Sequence, residues 1–352
     1  MKGDHFNQKD WRGFLLLPLS LLFRFIVFIR STFYKAGWLV SSKVNIPIIV
    51  VGNITVGGTG KTPMVVELVS RLKMAGLAPG IVSRGYGSAN NKNPILITDK
   101  TSVQTAGDEP LQLALMTGVP VCICAKRADA VQYLLSNTPV NVIVSDDGLQ
   151  HYAMARSYEI AVLDGTRGLG NGWMLPSGPL REPASRLQTV QLLAIQRAVN
   201  DNPVTPHGLN QLTNLTLSSE VRTGSFMLSV ASMDALGSSK PMSMLELSGE
   251  MVHAVAGLGN PERFFALLKH NGIEVIEHAM PDHHNYQLSD VQFSDKLPVL
   301  MTSKDAVKLK TLPNAHALLN RHYEIQAKTE VDDALNMALQ SLISSLSEEQ
   351  AI

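Results

Sequence analysis

A glycine-rich segment that ends in Gly-Lys-Thr carries the clearest chemistry in the sequence. Residues 46–62 read IPIIVVGNITVGGTGKT, so a β-branched, strand-like run precedes the glycines and a helical pattern begins near Lys61. In such a loop backbone N–H groups point at phosphate oxygens, the lysine reaches the outer phosphates, and the Thr62 hydroxyl is placed to bind magnesium. We therefore predict a nucleotide phosphate site. Its expected binding residues are Thr55, Val56, Gly57, Gly58, Thr59, Gly60, Lys61 and Thr62.

Two positions of this loop depart from better-known patterns. The usual G-x4-G-K-[ST] pattern has a glycine six residues before the lysine, where this chain has Thr55. ATPases of the MinD type have a second lysine before the double glycine, where this chain has Val56. The loop therefore indicates the P-loop superclass and disfavours the MinD branch, but it does not name a reaction.

A pair of aspartates follows a second strand-like run, residues 140–145. Asp146 and Asp147 stand directly after it, at the carboxyl end of a strand, where open α/β sheets bind their ligands. A carboxylate at this position can hold magnesium directly or through water. The spacing leaves open which of the two aspartates does so.

Three further segments combine reactive residue types with ordinary structural alternatives. Asp108 and Glu109 open a predicted helix in the sequence GDEP, where acidic residues commonly cap the helix and complement its dipole. Residues 173–183 form either a surface loop or a substrate loop. Residues 281–284, PDHH, are typical of a solvated loop, although an Asp beside a His can mark a polarised pair. Local sequence favours the structural interpretation of both GDEP and PDHH.

Short apolar strands alternate with helices and must position these residues. The predicted strands are 46–51, 79–83, 119–124, 140–145 and 159–163, and the predicted helices among them are 63–72, 109–116 and 127–135. This alternation predicts parallel βαβ units. The expected fold class is α/β, with a doubly wound, mostly parallel sheet of the P-loop NTPase type and a second, smaller α/β domain.

The chain divides into four predicted parts. Residues 1–44 contain an apolar, membrane-associated helix, and residues 45–197 form the P-loop core. Residues 198–250 are rich in Ser, Thr, Asn and Pro, which predicts a linker with a small β element. Residues 251–352 form the C-terminal α/β domain, in which strand and helix patterns resume at 252–270 and a last helix covers 331–346.

The N-terminal apolar run, residues 13–29, reads GFLLLPLSLLFRFIVFI and is interrupted by Pro18, Ser20 and Arg24. A spanning helix needs about 20 predominantly apolar residues, and an arginine at mid-membrane is costly. Three interpretations stay open: a helix that lies in the membrane interface, which we favour, a true span, and an ordinary buried helix.

The overall composition excludes several classes of protein. Lys and Arg number 30 and Asp and Glu number 30, so the formal net charge is zero, and 45% of residues are hydrophobic. This excludes a disordered chain and argues against a nucleic-acid binder that works through bulk positive charge. Two cysteines cannot form a disulfide framework, so we expect a reducing compartment.

Taken together, the motifs resemble those of one family. TVGGTGKTP, SRGYG, GDEP, DDGLQH, DGTRGLGNGWMLPSGPLREP, VHAVAGLGNPERFF, PDHH and TSKDAVK occur in this order along nearly the whole chain. They are similar to the motifs of the tetraacyldisaccharide 4'-kinases of lipid A biosynthesis, in which Thr55 is expected at the position of the usual glycine. The resemblance implies a kinase that uses ATP and Mg²⁺ to phosphorylate the 4'-hydroxyl of a tetraacylated glucosamine disaccharide 1-phosphate.

The resemblance also implies roles for individual residues. It implies that Asp108 is the catalytic base, that His283 is its partner across a domain cleft, and that Asp147 joins Thr62 in holding magnesium. It thereby reverses the local interpretation of GDEP and PDHH, while the choice between His283 and His284 stays open. Further implied site or substrate residues are Glu109, Arg127, His151, Arg181 and Glu182.

The implied partners are the lipid A disaccharide precursor and the membrane, with no nucleic acid and no obligatory protein partner. The implied location is the cytoplasmic face of the bacterial inner membrane. The alternative from a different class is a membrane-tethered P-loop ATPase that acts as a switch and has no small-molecule acceptor.

Overall fold

A computed structural model describes residues 6, 8–89, 91–98, 100–199, 201, 204–282 and 284–351. The strands are β1 (Ile48–Gly52), β2 (Pro79–Ser83), β3 (Ile95–Leu96), β4 (Val121–Ile123), β5 (Val142–Asp146), β6 (Tyr158–Asp164), β7 (Leu192–Gln196), β8 (Arg222–Ala235), β9 (Met251–Ala256), β10 (Glu274–Ala279), β11 (Val299–Thr302) and β12 (His322–Val331). The helices are α1 (Trp11–Lys35), α2 (Lys61–Met74), α3 (Val103–Ala106), α4 (Asp108–Thr117), α5 (Arg127–Asn137), α6 (Pro206–Thr213), α7 (Glu262–His270), α8 (Ser303–Lys310), α9 (Ala315–Leu318) and α10 (Asp333–Ala351).

All these strands belong to one mixed sheet, in the order β10-β9-β11-β12-β8-β7-β6-β1-β5-β2-β4-β3. The pairs β3–β4 and β8–β12 are antiparallel, and the other neighbouring pairs are parallel. The predicted α/β class with a mostly parallel sheet is therefore confirmed. In the register of β1 and β5, Val51 lies beside Asp146, so the loops after the two strands leave the sheet at the same edge.

The segment predicted as a linker contains more regular structure than expected. It includes α6 and the whole of β8, a strand of 14 residues. This strand pairs with both β7 and β12 and so joins the two halves of the sheet. Only the first part of β8 is buried, and its later residues are largely intermediate or exposed. This exposure explains the polar composition that resembled a linker. The domain boundaries themselves stay predictions.

The two faces of the sheet in the N-terminal half carry separate apolar layers. One layer joins β1 and β5 to α5 and to the chain between residues 149 and 190. The other joins the sheet to α2 and, from the far end of the sequence, to α10. The buried leucines that α2 and α10 place in this second layer are Leu68, Leu72, Leu335, Leu339, Leu342 and Leu346.

The start of α10 is fastened to β8 by one aspartate. Asp332 accepts hydrogen bonds from the Leu335 N–H (2.8 Å) through one carboxylate oxygen and from the Ser225 N–H (2.8 Å) and hydroxyl (2.5 Å) through the other. An aspartate before the first turn satisfies otherwise unpaired helix N–H groups. The helix is thereby held close to the sheet, where Gly224 provides the room.

The N-terminal helix α1 lies against the body of the protein along one side. The Ser20 hydroxyl donates to the Met174 carbonyl (2.8 Å), and the Phe14 ring meets the Trp173 ring edge-on at 4.9 Å. The rest of the helix is largely exposed, with Leu15 at 73% and Phe25 at 58%. Among the described residues α1 is the one helix long and apolar enough to cross a membrane. This exposure excludes the interpretation of α1 as an ordinary buried helix.

Gly224→Ala tests the close contact between β8 and α10. A Cβ at this position would lie 2.4 Å from the Leu335 backbone nitrogen, which cannot move without shifting the helix start. We expect the free energy of unfolding to fall by about 1–3 kcal/mol, the usual cost of overpacking. Urea unfolding measures it. Gly208→Ala in α6 is the control, because its Cβ would meet nothing nearer than 3.4 Å; equal losses in both variants would contradict the prediction.

Candidate active site

The glycine-rich loop runs from the end of β1 to the first residue of α2, Lys61, as predicted. Gly60 precedes the helix with φ +87°, and a Cβ there would lie 2.6 Å from Gln196 Oε1, so only glycine fits this turn. The Asn53 side chain donates to the Thr59 hydroxyl at 3.1 Å and braces the loop from inside. The N-terminal N–H groups of α2 therefore face the cleft described below, in the arrangement that binds phosphate.

The first part of the loop pairs with the 173–183 segment. Thr55 forms an antiparallel bridge with Leu180, and the Val56 N–H donates to the Pro179 carbonyl at 2.9 Å. Thr55 is buried, so it serves as a packed, paired residue where the usual pattern has a glycine. The unusual threonine thus marks the place at which the loop is joined to the predicted substrate segment.

Asp147 stands between two cationic groups after β5. Its carboxylate lies 3.5 Å from Lys61 Nζ and 3.0 Å from an Arg181 Nη1. Burial alone would raise the pKa of this carboxyl, but the charges of Lys61, Arg181 and Arg127 outweigh that effect and hold the pKa below its usual range. Asp147 is therefore ionised and paired with the lysine of the loop.

Asp146 is more deeply buried than Asp147, and its pKa is shifted in the opposite direction. It accepts a hydrogen bond from the Ser83 hydroxyl at 3.2 Å. Burial, together with the charges of Glu109 and Asp147, raises the pKa of Asp146 to about 7. Two adjacent carboxyls thus have opposite pKa shifts because one faces cations and the other faces protein and further acids.

Arg127 shapes the backbone of this acidic pair. Its guanidinium is buried and donates through Nη2 to the carbonyls of Asp146 (3.0 Å) and Asp147 (2.7 Å). Asp147 has φ +48°, an uncommon conformation for a residue with a side chain. The paired carbonyls indicate that Arg127 holds the turn that aims Asp147 at Lys61, so its observed contacts are structural.

Asp108 is the first residue of α4 and is buried between two lysines of α8. Its carboxylate lies 3.1 Å from Lys308 Nζ and 3.6 Å from Lys304 Nζ. Lys304 also lies 3.0 Å from Asp282 and 3.8 Å from Glu109. The structure therefore brings GDEP and the start of PDHH to one cluster, through lysines of the TSKDAVK motif that the sequence assigned no role.

The predicted histidine His283 lies outside the described residues. Its neighbour His284 is described, and its Nε2 lies 3.0 Å from Asp290 Oδ2 while its ring meets Tyr286 edge-on. His284 is thus engaged with the 286–290 segment, whereas Asp282 on the other side of His283 joins the Asp108 cluster through Lys304. The choice between His283 and His284 as the site histidine stays a prediction.

One cleft of about 1080 Å³ contains most of these groups. It is lined by the loop from Gly57 to Thr62, by Asp146 and Asp147, by Arg127, Arg181 and Glu182, and by Glu109 and Lys304. The side chains of α1 form another part of its wall. Phosphate-binding, acidic and apolar surfaces therefore share a single opening.

Comparison with known proteins identifies the family. Residues 12–344 match the family model of the tetraacyldisaccharide-1-P 4'-kinases. The chain belongs to this family. A tetraacyldisaccharide 4'-kinase of Hahella chejuensis is 43% identical over 86% of this chain and 88% of its own length. One of Ruthia magnifica is 39% identical over 93% and 96%, respectively.

A solved member of the family has the same fold. The crystal structure of LpxK from Aquifex aeolicus in complex with ATP covers 94% of this chain and 99% of its own, with a TM-score of 0.74 and 27% identity. The resemblance inferred from the motifs is therefore confirmed, and so is the P-loop kinase fold with a second, smaller α/β part.

The donor set of this family member suits magnesium. Among the described residues no three His, Cys, Asp or Glu side chains form a protein metal cage. Mg²⁺ usually takes only one or two carboxylates and completes its shell with waters and substrate phosphates. The ionised Asp147 carboxylate and the Thr62 hydroxyl are hard oxygen donors of this kind. Both line the cleft beside the phosphate site. The residues therefore fit the ion that the kinase class requires.

Glu182 lines the cleft, whereas His151 stands between the lining residues Gln150 and Tyr152 and does not line it itself. Glu182 is buried and accepts from the Gln150 amide (2.8 Å) and the Tyr152 hydroxyl, so its carboxylate is committed to protein groups. Burial and the nearby charges of Arg127 and Arg156 lower the pKa of His151 from 6.5 to about 4. His151 is consequently neutral at physiological pH.

A second ionic cluster, unpredicted from the sequence, joins the halves of the kinase. Asp164 at the end of β6 is buried and lies 2.8 Å from Arg167 and 2.7 Å from Arg263 of α7. Arg167 also donates to the Gly58 carbonyl, and Arg263 to the Gln196 side chain. The quoted motifs DGTRG and NPERFF supply the two arginines, but only the fold shows that they share one aspartate.

His151→Gln tests the neutral state of this histidine. Since its pKa is about 4 in the folded protein and 6.5 unfolded, the unfolded state binds the extra proton between these values. The free energy of unfolding therefore decreases as the pH falls from 6.5 towards 4, and the glutamine variant should lose part of this slope while matching wild type at pH 7.5. Urea unfolding across this range measures it. The exposed His316 provides the control substitution, and an unaltered slope in His151→Gln would refute the assignment.

Proposed function

We propose that this chain transfers the γ-phosphoryl group of ATP to the 4'-hydroxyl of a tetraacylated glucosamine disaccharide 1-phosphate in lipid A biosynthesis. Family membership and the ATP complex of the Aquifex relative support this reaction. The observation that carries it is the cleft, where the phosphate loop and Asp147 meet Lys304, which also contacts Asp108. A nucleotide site beside a buried carboxylate is what transfer to an alcohol requires.

The phosphate side of the cleft would supply positioning and charge. Lys61 and the loop N–H groups would bind the outer phosphates, and Thr62 with Asp147 would hold magnesium, which neutralises charge that develops on the transferred group. Arg181 lies 3.0 Å from Asp147 and can approach the same phosphates when Asp147 binds the ion. Arg127 would keep this constellation aligned through the two carbonyls that it contacts.

The acceptor side would supply the base. A sugar hydroxyl is a weak nucleophile, and Asp108 would accept its proton, with His283 as the group that tunes or receives it. Lys304 and Lys308 of α8 fix the carboxylate of α4 from the other half of the sheet. Closure of the halves around both substrates would then assemble the base only when the acceptor is bound, which limits hydrolysis by water.

We further propose that α1 holds the enzyme in the membrane interface on the cytoplasmic face of the inner membrane. The protein body covers one side of the helix, with Gly13 and Ser20 buried and Val27 packed against the apolar layer, which supports a helix that stays beside the body. Its other side exposes large apolar residues such as Leu15 and Phe25. A helix with one docked and one apolar exposed side suits partial burial among lipid headgroups.

Asp108→Asn tests the reaction and the base together. With radiolabelled γ-phosphate and the disaccharide 1-phosphate lipid, wild type should label the lipid and hydrolyse little ATP without it. We expect the variant to lose about 10²–10⁴ in transfer rate, the usual worth of a general base, while ATP binding is retained. Asp129→Asn, an exposed aspartate of α5, is the matched control.

Two outcomes would contradict these assignments. A loss of less than about tenfold in Asp108→Asn would remove Asp108 as the base. Wild-type hydrolysis of ATP with no labelled lipid would instead favour the membrane-tethered switch, which family membership does not support.

Charge placed on the exposed side of α1 tests the membrane proposal. Leu15→Glu with Phe25→Glu should abolish sedimentation with vesicles of phosphatidylethanolamine and phosphatidylglycerol, because both carboxylates would enter the interface. Met337→Glu is the control, since this residue of α10 is 63% exposed but lies away from α1 in the sequence and on another helix. Wild type should be released by alkaline carbonate; retention after that wash would identify a span.

A further inference from the structure

The phosphate loop is supported from outside at two of its glycines. Arg167 donates to the Gly58 carbonyl. The side-chain oxygen of Gln196 packs against Gly60, where it lies 2.6 Å from the position that a Cβ would take. Neither contact uses a backbone N–H of the loop, so both are compatible with a phosphate that the loop N–H groups bind.

The bond to the Gly58 carbonyl fixes the direction of one N–H group. The peptide between Gly58 and Thr59 is trans, and in a planar trans peptide the C=O and the N–H point in opposite directions. While Arg167 holds the carbonyl, the Thr59 N–H is therefore held pointing away from Arg167. Because N–H groups of such a loop bind phosphate oxygens, Arg167 controls the aim of a nucleotide-binding group without contacting the nucleotide.

One buried aspartate holds the residues that support the loop. Asp164 accepts from Arg167 Nε at 2.8 Å through Oδ2 and from Arg263 Nη2 at 2.7 Å through Oδ1. Arg263 also donates through Nη1 to the side-chain oxygen of Gln196. The two oxygens of one carboxylate thus place two arginines, and each arginine leads to a different glycine of the loop.

Arg263 reaches this aspartate from the other half of the sheet. It is the second residue of α7, whose Phe264, Phe265 and Leu268 are buried in an apolar cluster with β9, β11 and β12. This packing fixes the helix, so Arg263 projects from a rigid element. Two routes therefore run from α7 to the phosphate loop, one through Asp164 and Arg167 and the other through Gln196.

We propose that Arg263 is a positioning residue that keeps the phosphate loop in the shape that binds ATP. The inference rests on ATP binding at the loop, which is part of the function proposed above, and not on the identity of the acceptor. Without Arg263, Arg167 would be free to pair with both oxygens of Asp164, the geometry that guanidinium and carboxylate favour. Arg167 would then leave the Gly58 carbonyl, and the Thr59 N–H would lose its fixed direction.

This link is separate from the lysines that hold Asp108. Lys304 and Lys308 of α8 contact the carboxylate on the acceptor side of the cleft, whereas Arg263 of α7 acts at the nucleotide loop. The C-terminal half would thus serve the two substrates through different helices. The expected signature of losing Arg263 is weaker ATP binding with an unchanged KM for the acceptor at saturating ATP.

The test measures how the full chain, in neutral detergent and without acceptor, binds a non-hydrolysable ATP analogue with Mg²⁺ in a calorimetric titration. Arg263→Ala should raise Kd about 10- to 100-fold, the worth of a hydrogen bond to a charged group. Arg167→Ala should raise it by a similar factor, although Arg167 does not line the cleft. Arg263→Lys keeps a charge beside Asp164 but lacks the fork that also reaches Gln196, so it should recover part of the affinity.

Asp164→Asn separates positioning from direct contact with the nucleotide. If Arg263 acts through Asp164, the double variant Asp164→Asn, Arg263→Ala should bind the analogue no more weakly than Arg263→Ala alone. This double variant removes one carboxylate and one guanidinium, so the site stays balanced in charge. Additive losses would assign Arg263 to contact with the nucleotide itself and would overturn the proposal.

Arg321→Ala is the matched control. Arg321 also belongs to the C-terminal half and lies 3.2 Å from an aspartate, Asp295, but it does not line the cleft. Equal losses of affinity in Arg321→Ala and Arg263→Ala, or an unchanged Kd in Arg263→Ala, would contradict the positioning role. Urea unfolding checks the fold of each variant, and if Arg263→Ala does not fold, Arg263→Lys and Arg167→Ala decide by the same criteria. Failure of wild type to bind the analogue would overturn the proposed function itself.

Discussion

The parallel pairing of β1 with β5 is the constraint on which the site depends. With Val51 beside Asp146, the phosphate loop and the aspartate pair leave the sheet next to each other, and Lys61 meets Asp147. Parallel strands require long crossover connections, and here these connections carry GDEP and the Arg127 helix. A shift of one residue in this register would turn every side chain of the shifted strand to the other face and separate the charges.

The C-terminal half completes the site with charged side chains, which contact the N-terminal half at two places. Lysines of α8 pair with Asp108, and Arg263 of α7 pairs with Asp164 beside the phosphate loop. Both aspartates are buried, and a buried carboxylate left without its cation is costly. The ion pair between the halves therefore shares Asp164 with Arg167, which also donates to the Gly58 carbonyl of the phosphate loop.

Local patterns predicted the parts of the molecule that local physics controls. The glycine turn and the start of α2 near Lys61 depend on neighbouring residues and were correct, while the strand predicted at 140–145 lies at Val142–Asp146 and includes Asp146. The length of β8 was missed because its polar later part resembles a linker. The partners of Asp108 and Asp164 could not be predicted. Lys308, which pairs with Asp108, and Arg263, which pairs with Asp164, are distant in sequence, and only folding brings them close. The catalytic and substrate residues came from the family resemblance, and their individual roles stay predictions.

The position of α10 has a consequence for how the protein is made. The apolar layer under the phosphate loop includes residues of β1 and α2, near the beginning of the chain, and Leu339 and Leu346, near its end. A ribosome therefore releases the nucleotide-binding half long before the helix that covers it has left the exit tunnel. During that interval the sheet face that α10 later covers is an exposed apolar surface. Chains with such exposed surfaces bind chaperones and are prone to aggregate. The N-terminal half therefore completes its apolar layer only after α10 has been synthesised.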